Sequence, residues 1–159
     1  MNRTVKIAPV RRSVLVKAPL DHAFDVFTAG LGRWWPKTHH IGRSFADASI
    51  EPRKGGHWYE VDDDGTRTNV GEVLVWEPPH RVVVAWNVSS KWQPDTTVAS
   101  EVEVRFAASG DGTIVELEHR NFEALGPEGG ASLRKDVNGG WPKLLDFYKH
   151  ETERGEPSK

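Results

Sequence analysis

The residues of this chain that could carry chemistry are a histidine, a glutamate and a set of large aromatic rings. Between Thr113 and Asn121, the residues Val115, Leu117 and His119 alternate with Ile114, Glu116 and Glu118. A strand with that alternation puts His119 on the apolar side. A buried imidazole there could orient a ligand or move a proton near neutral pH. The plainer alternative is a core histidine satisfied by a backbone carbonyl. Glu60 shares a strand face with Trp58 and is expected to point inward too. An isolated charge is not left buried, so Glu60 needs a partner, and Arg12 is a candidate. The rings are Trp34, Trp35, Phe45, Trp58, Trp86, Phe106, Phe122 and Trp141. Aromatic walls with a few polar groups are how small-molecule sites are usually built. The same rings could simply fill a core, and Trp141 is assigned mainly to the packing of helix on sheet.

Other chemistry is excluded. The chain has no cysteine, so thiol catalysis, disulfides and thiolate metal sites are out. His39 and His40 are adjacent, a spacing that rarely lets both imidazoles hold one metal. Asp62-Asp63-Asp64-Gly65 invites a calcium reading, but with Gly65 at the sixth loop position the twelfth is Gly71, not the required glutamate. No nucleophile elbow, phosphate loop or dinucleotide glycine pattern is present, and nothing calls for a cofactor. An enzyme on this chain would have to work by shape, His119 and water. With 21 Lys and Arg against 23 Asp and Glu there is no electrostatic footprint for nucleic acid. No stretch has the length and apolarity of a membrane span or a secretory leader, so a cytoplasmic protein is expected. At 159 residues, one domain is expected over the whole chain.

The elements that must position these residues follow from periodicity. Val5 to Lys17 reads as a strand closed by Ala18-Pro19. Leu20, Ala23, Phe24 and Phe27 recur at helical spacing up to Gly30, and a short helix runs from Leu31 to Trp35. Residues 37–45 read as loop. Strands are then expected over Ala46–Pro52, His57–Val61, Thr68–Trp76, Arg81–Val88, Thr97–Ala107 and Thr113–Asn121, with a longer loop over 89–96. Alternation in the last two strands describes an antiparallel sheet, wet on one side and buried on the other. Finally, Leu133, Val137, Trp141, Leu144, Leu145 and Tyr148 fall on one face of a helix from Gly129 to Glu151. Asn138-Gly139-Gly140-Trp141-Pro142 should kink that helix or divide it into two nearly collinear ones. The result is an α+β fold in which a curved antiparallel sheet of about six to seven strands grips a long C-terminal helix.

This order and its residues resemble the START-like, helix-grip superfamily. Within it, the chain is similar to the C-terminal domain of the activator of heat-shock protein 90 ATPase. The residues that carry the resemblance run in order along roughly 10–152. They are Ala18-Pro19, Gly55-Gly56, Gly71-Glu72-Val73 running to Pro78-Pro79, Arg81-Val82 leading to Trp86, Leu117-Glu118-His119 before Phe122, and Gly140-Trp141 with Leu144 and Leu145. The resemblance implies a cavity between sheet and helix, lined by the rings above, that binds a small hydrophobic molecule. It also implies that only some members are enzymes. The leading expectation is therefore a non-catalytic binder of a hydrophobic or aromatic ligand. A chaperone-activator-like interaction module and a cyclase- or hydratase-type enzyme are the alternatives. The strand edges and Trp92 leave a homodimer open.

Overall fold

The computed structural model describes residues 7–36 and 44–154. His39 and His40 and most of the 37–45 loop lie outside them. Seven strands form one antiparallel sheet: β1 (Val10–Val16), β2 (Asp47–Ile50), β3 (His57–Val61), β4 (Arg67–Glu77), β5 (Arg81–Trp86), β6 (Ser100–Ser109) and β7 (Gly112–Arg120). Their spatial order is β1-β7-β6-β5-β4-β3-β2, so β1 joins the far edge through β7. Two short helices, α1 (Leu20–Phe27) and α2 (Leu31–Trp34), follow β1. A 3-10 turn, η1 (Phe122–Leu125), leads into the long helix α3 (Gly126–Arg154). This is the helix grip expected from the sequence, with seven strands.

Register follows the alternation. Val14 pairs with Val115 and Arg12 with Leu117 between β1 and β7; Val102 pairs with His119 and Val104 with Leu117 between β6 and β7. Every apolar member of the α3 stripe (Leu133, Val137, Trp141, Leu144, Leu145, Tyr148) is buried against this inner face. A bulge in β4 lets Val70 slip between the Trp58–Gly71 and Tyr59–Asn69 pairs. Gly71 is needed there, because a Cβ on it would sit 1.6 Å from the Ala85 carbonyl oxygen of β5. The bulged strand therefore lies tight against β5, and Trp58 and Glu60 both face the interior.

The helix is one element, not two, and Pro142 lies inside it. Proline removes the hydrogen bond to the carbonyl four residues earlier, that of Asn138. Arg12 of β1 supplies the missing donor: its Nη2 reaches the Asn138 carbonyl at 3.2 Å and the Asn138 side-chain oxygen at 2.6 Å. The pairing of Arg12 with Glu60 expected from the sequence is thus corrected, since the guanidinium serves α3 instead. Further bonds tie α3 along the β1 edge. Arg134 donates to the Ala8 carbonyl (2.6 Å), Lys149 to the Leu15 carbonyl (2.9 Å), and Glu153 accepts from the Lys17 amide (2.9 Å). Exposed strand edges invite unwanted pairing, and here the helix side chains occupy the open groups.

Candidate functional site

The aromatic residues meet in two linked groups on the inner face. Nearer α1, Phe24 and Phe27 pack edge-on against Phe106, and Phe27 contacts Trp34 and Tyr148 at 5.2 Å between ring centres. Trp34 is fixed by its indole N–H, which donates to the Val26 carbonyl at the end of α1 (3.0 Å). The Tyr148 hydroxyl donates to the Ala23 carbonyl (2.7 Å) and so locks α3 to α1. Burial raises that phenol's pKa, and it stays protonated at any physiological pH. This group packs the core.

The second group forms a cage. Trp34 leads to Trp35 (5.6 Å), Trp35 to Trp58 (5.2 Å), Trp58 to Trp86 (5.2 Å) and Trp86 to His119 (5.4 Å), and Phe122 stacks on His119 (4.8 Å). Trp141 of α3 stands 6.1 Å from each of Trp35, Trp86 and His119. The contacts are edge-to-face except the one stack, as ring quadrupoles prefer. Phe45 and Glu60 are buried on the same side of the sheet, Phe45 within the hydrophobic core. Trp35 is the most open member of the cage, at 8 % exposure, and Pro36 follows it into the segment 37–43.

Polar groups inside the cage are arranged with a definite polarity. The Trp141 indole N–H donates to His119 Nδ1 (3.1 Å). Indole is a donor only, so His119 Nδ1 must carry the lone pair and Nε2 the hydrogen. That Nε2–H then donates to Ser100 Oγ at 2.8 Å. Burial lowers the His119 pKa to about 3, so the ring is neutral at physiological pH. Two expectations are corrected here. His119 is satisfied by the side chains of Trp141 and Ser100 rather than by a backbone carbonyl. It also does not titrate near neutrality, because no charge partner offsets its desolvation. Beside it, the buried indole N–H of Trp86 has no acceptor among the described residues. The sequence reading missed Ser100. The signal was available, since Ser100 precedes Val102, Val104 and Phe106 on the same alternating face.

The outer face of the sheet is a separate, charged surface. Glu103 is held between Arg81 (2.6 Å) and Arg120, which also reaches Glu101 (3.2 Å). Large apolar side chains exposed among the described residues are Leu15, Trp92, Ile114 and Phe147, and Leu15 pairs with Ile114 across β1 and β7. Trp92 is 38 % exposed, yet its indole donates to Asp136 of α3 (3.2 Å) and pins the 89–96 loop to the helix. No group of three or more metal-ligating side chains occurs among the described residues, and none of their helices is long and apolar enough to cross a membrane.

With the geometry in view, comparison with known proteins places the chain. Residues 17–151 match the family described as Activator of Hsp90 ATPase homolog 1-like protein. No curated protein matches it. Among solved structures, an anthrahydroquino-γ-pyrone synthase, Txn09, is 39 % identical over 91 % of this chain and 97 % of its own, with a TM-score of 0.64. The self-sacrificing resistance protein CalC from Micromonospora echinospora is 28 % identical over 95 % of this chain and 97 % of its own (TM-score 0.66). Aha1 from Colwellia psychrerythraea, solved as a dimer, is 18 % identical over 95 % of this chain and 100 % of its own (TM-score 0.64), and shares the fold. By its sheet, its gripped helix and a family match over most of its length, the chain belongs to the activator of Hsp90 ATPase homolog 1-like family of helix-grip proteins.

Proposed function

We propose that this chain binds a small, flat, hydrophobic molecule within the aromatic cage between the sheet and α3. One observation carries the reading: α2 and its C-cap, β3, β5, β7, η1 and α3 each send an aromatic ring to the same place. Six separate elements converging on one ring-walled region, with polar groups at its centre, is the pattern of a small-molecule site. The likeness to a γ-pyrone synthase at 39 % identity supports a polycyclic aromatic ligand. The test is native mass spectrometry on protein purified from its own host, followed by a thermal-shift screen of polycyclic aromatics. A bound ligand at a hundredfold excess over its dissociation constant stabilises by about 2.7 kcal/mol. An empty protein and an unmoved melting temperature across the screen would sink the proposal and favour a protein-interaction module.

The second reading is a ring-closing or hydrating enzyme that uses the same cage. It is favoured by one residue: Glu60, a carboxylate buried on the inner face of β3 next to Trp58. With His119 held neutral and both its nitrogens engaged, a proton would have to pass to an inward carboxylate, and Glu60 is the one this reading assigns. Glu60→Gln should then keep ligand affinity and lose turnover. Equal loss of both would leave Glu60 a binding group only.

A further inference from the structure

Trp86 and Ser100 stand opposite one another in the β5–β6 register. Paired residues on one face have Cβ atoms roughly 4.5–5.5 Å apart, so the two side chains are immediate neighbours inside the cage. Ser100 Oγ already accepts the hydrogen of His119 Nε2. Its own hydroxyl hydrogen is left to donate onward, and no acceptor for it is found among the described residues. The direction of this relay is fixed at its far end by Trp141, which can only donate. Its cross-strand partner Trp86, 3 % exposed, carries a buried indole N–H that is also without an acceptor. Two cross-strand neighbours, both buried, therefore each hold a donor to which the described residues offer no oxygen. Buried donors are almost always paired, so the missing partner belongs to whatever fills the site.

We propose that Trp86 and Ser100 form a two-donor cradle for one carbonyl oxygen, and that the ligand is a flat aromatic ketone or quinone. The inference rests on the cage being a ligand site and adds which functional group the ligand presents. A hydrocarbon leaves both donors unpaired, whereas a carbonyl oxygen has two lone pairs and can accept from both at once. His119 stays neutral because burial disfavours its cation, so the relay does not reverse at physiological pH. If the site also does chemistry, the same pair would stabilise negative charge that develops on that oxygen.

The test compares 9-fluorenone with fluorene, the same flat tricycle with and without a carbonyl, by equilibrium dialysis against the whole chain. Fluorenone should bind about tenfold tighter or more, since one otherwise unpaired buried donor is worth about that factor. Trp86→Phe keeps a ring and removes the N–H; whatever it does to both affinities, the ratio of fluorenone to fluorene binding should fall severalfold, with Ser100 left as the one donor. Should that variant fold poorly, the indole N–H resonances of the unmodified protein give the same answer. The Trp86 signal should move downfield with fluorenone and not with fluorene. Equal binding of the two tricycles with an unmoved Trp86 signal overturns the cradle and leaves the cage intact. Binding of neither overturns both.

Discussion

Arg12 of β1 donates to the backbone carbonyl of Asn138, the one carbonyl of α3 that Pro142 leaves without its helical partner. The same guanidinium nitrogen also reaches Asn138 Oδ1 at 2.6 Å, so one side chain repairs the helix and fastens it to the sheet edge. Hydrogen bonds from a charged donor contribute about 1.5–3 kcal/mol, less where water reaches them, and Arg12 is half-buried. Arg12→Ala is expected to lower stability by about 1–2 kcal/mol in urea unfolding. The decisive result is the double variant. Restoring the helical N–H with Pro142→Ala should recover part of the loss, because the Asn138 carbonyl regains a partner. Strict additivity of the two substitutions would show that Arg12 acts on α3 without regard to the proline.

The Arg12–Asn138 bond also shows where sequence reading stops. The apolar stripe of α3 and the 115–117–119 alternation were legible because each is a local period, and all their members are buried as expected. Of the two forms expected around Pro142, one helix or two collinear ones, the structure has the single helix, and the donor that Pro142 lacks comes from Arg12, 126 positions before Asn138. Burial of the cage rings was legible too, since large apolar residues at inward positions have few alternatives. The roles of the polar groups among them were not. The state of His119 depends on an indole 22 residues later and a hydroxyl 19 residues earlier. Nothing in the local pattern around His119 announces either partner.

Trp141 is where helix packing and the polar relay meet. Trp141→Ala removes a fully buried ring and is expected to cost about 3–5 kcal/mol. Trp141→Phe keeps most of the volume but strips the donor from His119 Nδ1, and an unpaired buried acceptor costs about 1–3 kcal/mol. Chemical denaturation of both variants checks the pair. A cost under about 1 kcal/mol for the alanine variant would mean that the ring is not part of the packed interior.

Burial of His119 has a signature in the dependence of stability on pH. Its folded-state pKa of about 3 lies below the ordinary 6.5, so between these values the unfolded chain holds the extra proton. The contribution of His119 is whole above about pH 6.5 and is lost as pH falls toward 3. The slope it adds is about 1.4 kcal/mol per pH unit. Unfolding free energies measured between about pH 4 and 6 should fall more steeply for the unmodified chain than for His119→Gln, by about that slope. Parallel curves would mean that the imidazole protonates without leaving the fold.

Glu103 tests the outer face independently of the site. Burial pushes its carboxyl pKa up, but hydrogen bonds from Arg81 and Arg120 outweigh this and hold it below the ordinary value. The folded-state value is depressed, so its contribution is present above the unfolded pKa near 4.5 and disappears as pH falls below it. Removing one member of a fully buried pair costs about 3–5 kcal/mol. Here both arginines keep about a third of their side chains in water, so Glu103→Gln should cost nearer 2 kcal/mol. Because the arginines face solvent, raising the salt to about 1 M should narrow the gap between variant and parent. Ligand affinity in the cage should not move, since Glu103 and His119 lie on opposite faces of the sheet. A variant that loses stability and ligand together would mean that the two faces are coupled through β6, and the cage would have to be tested with the outer charges as part of its support.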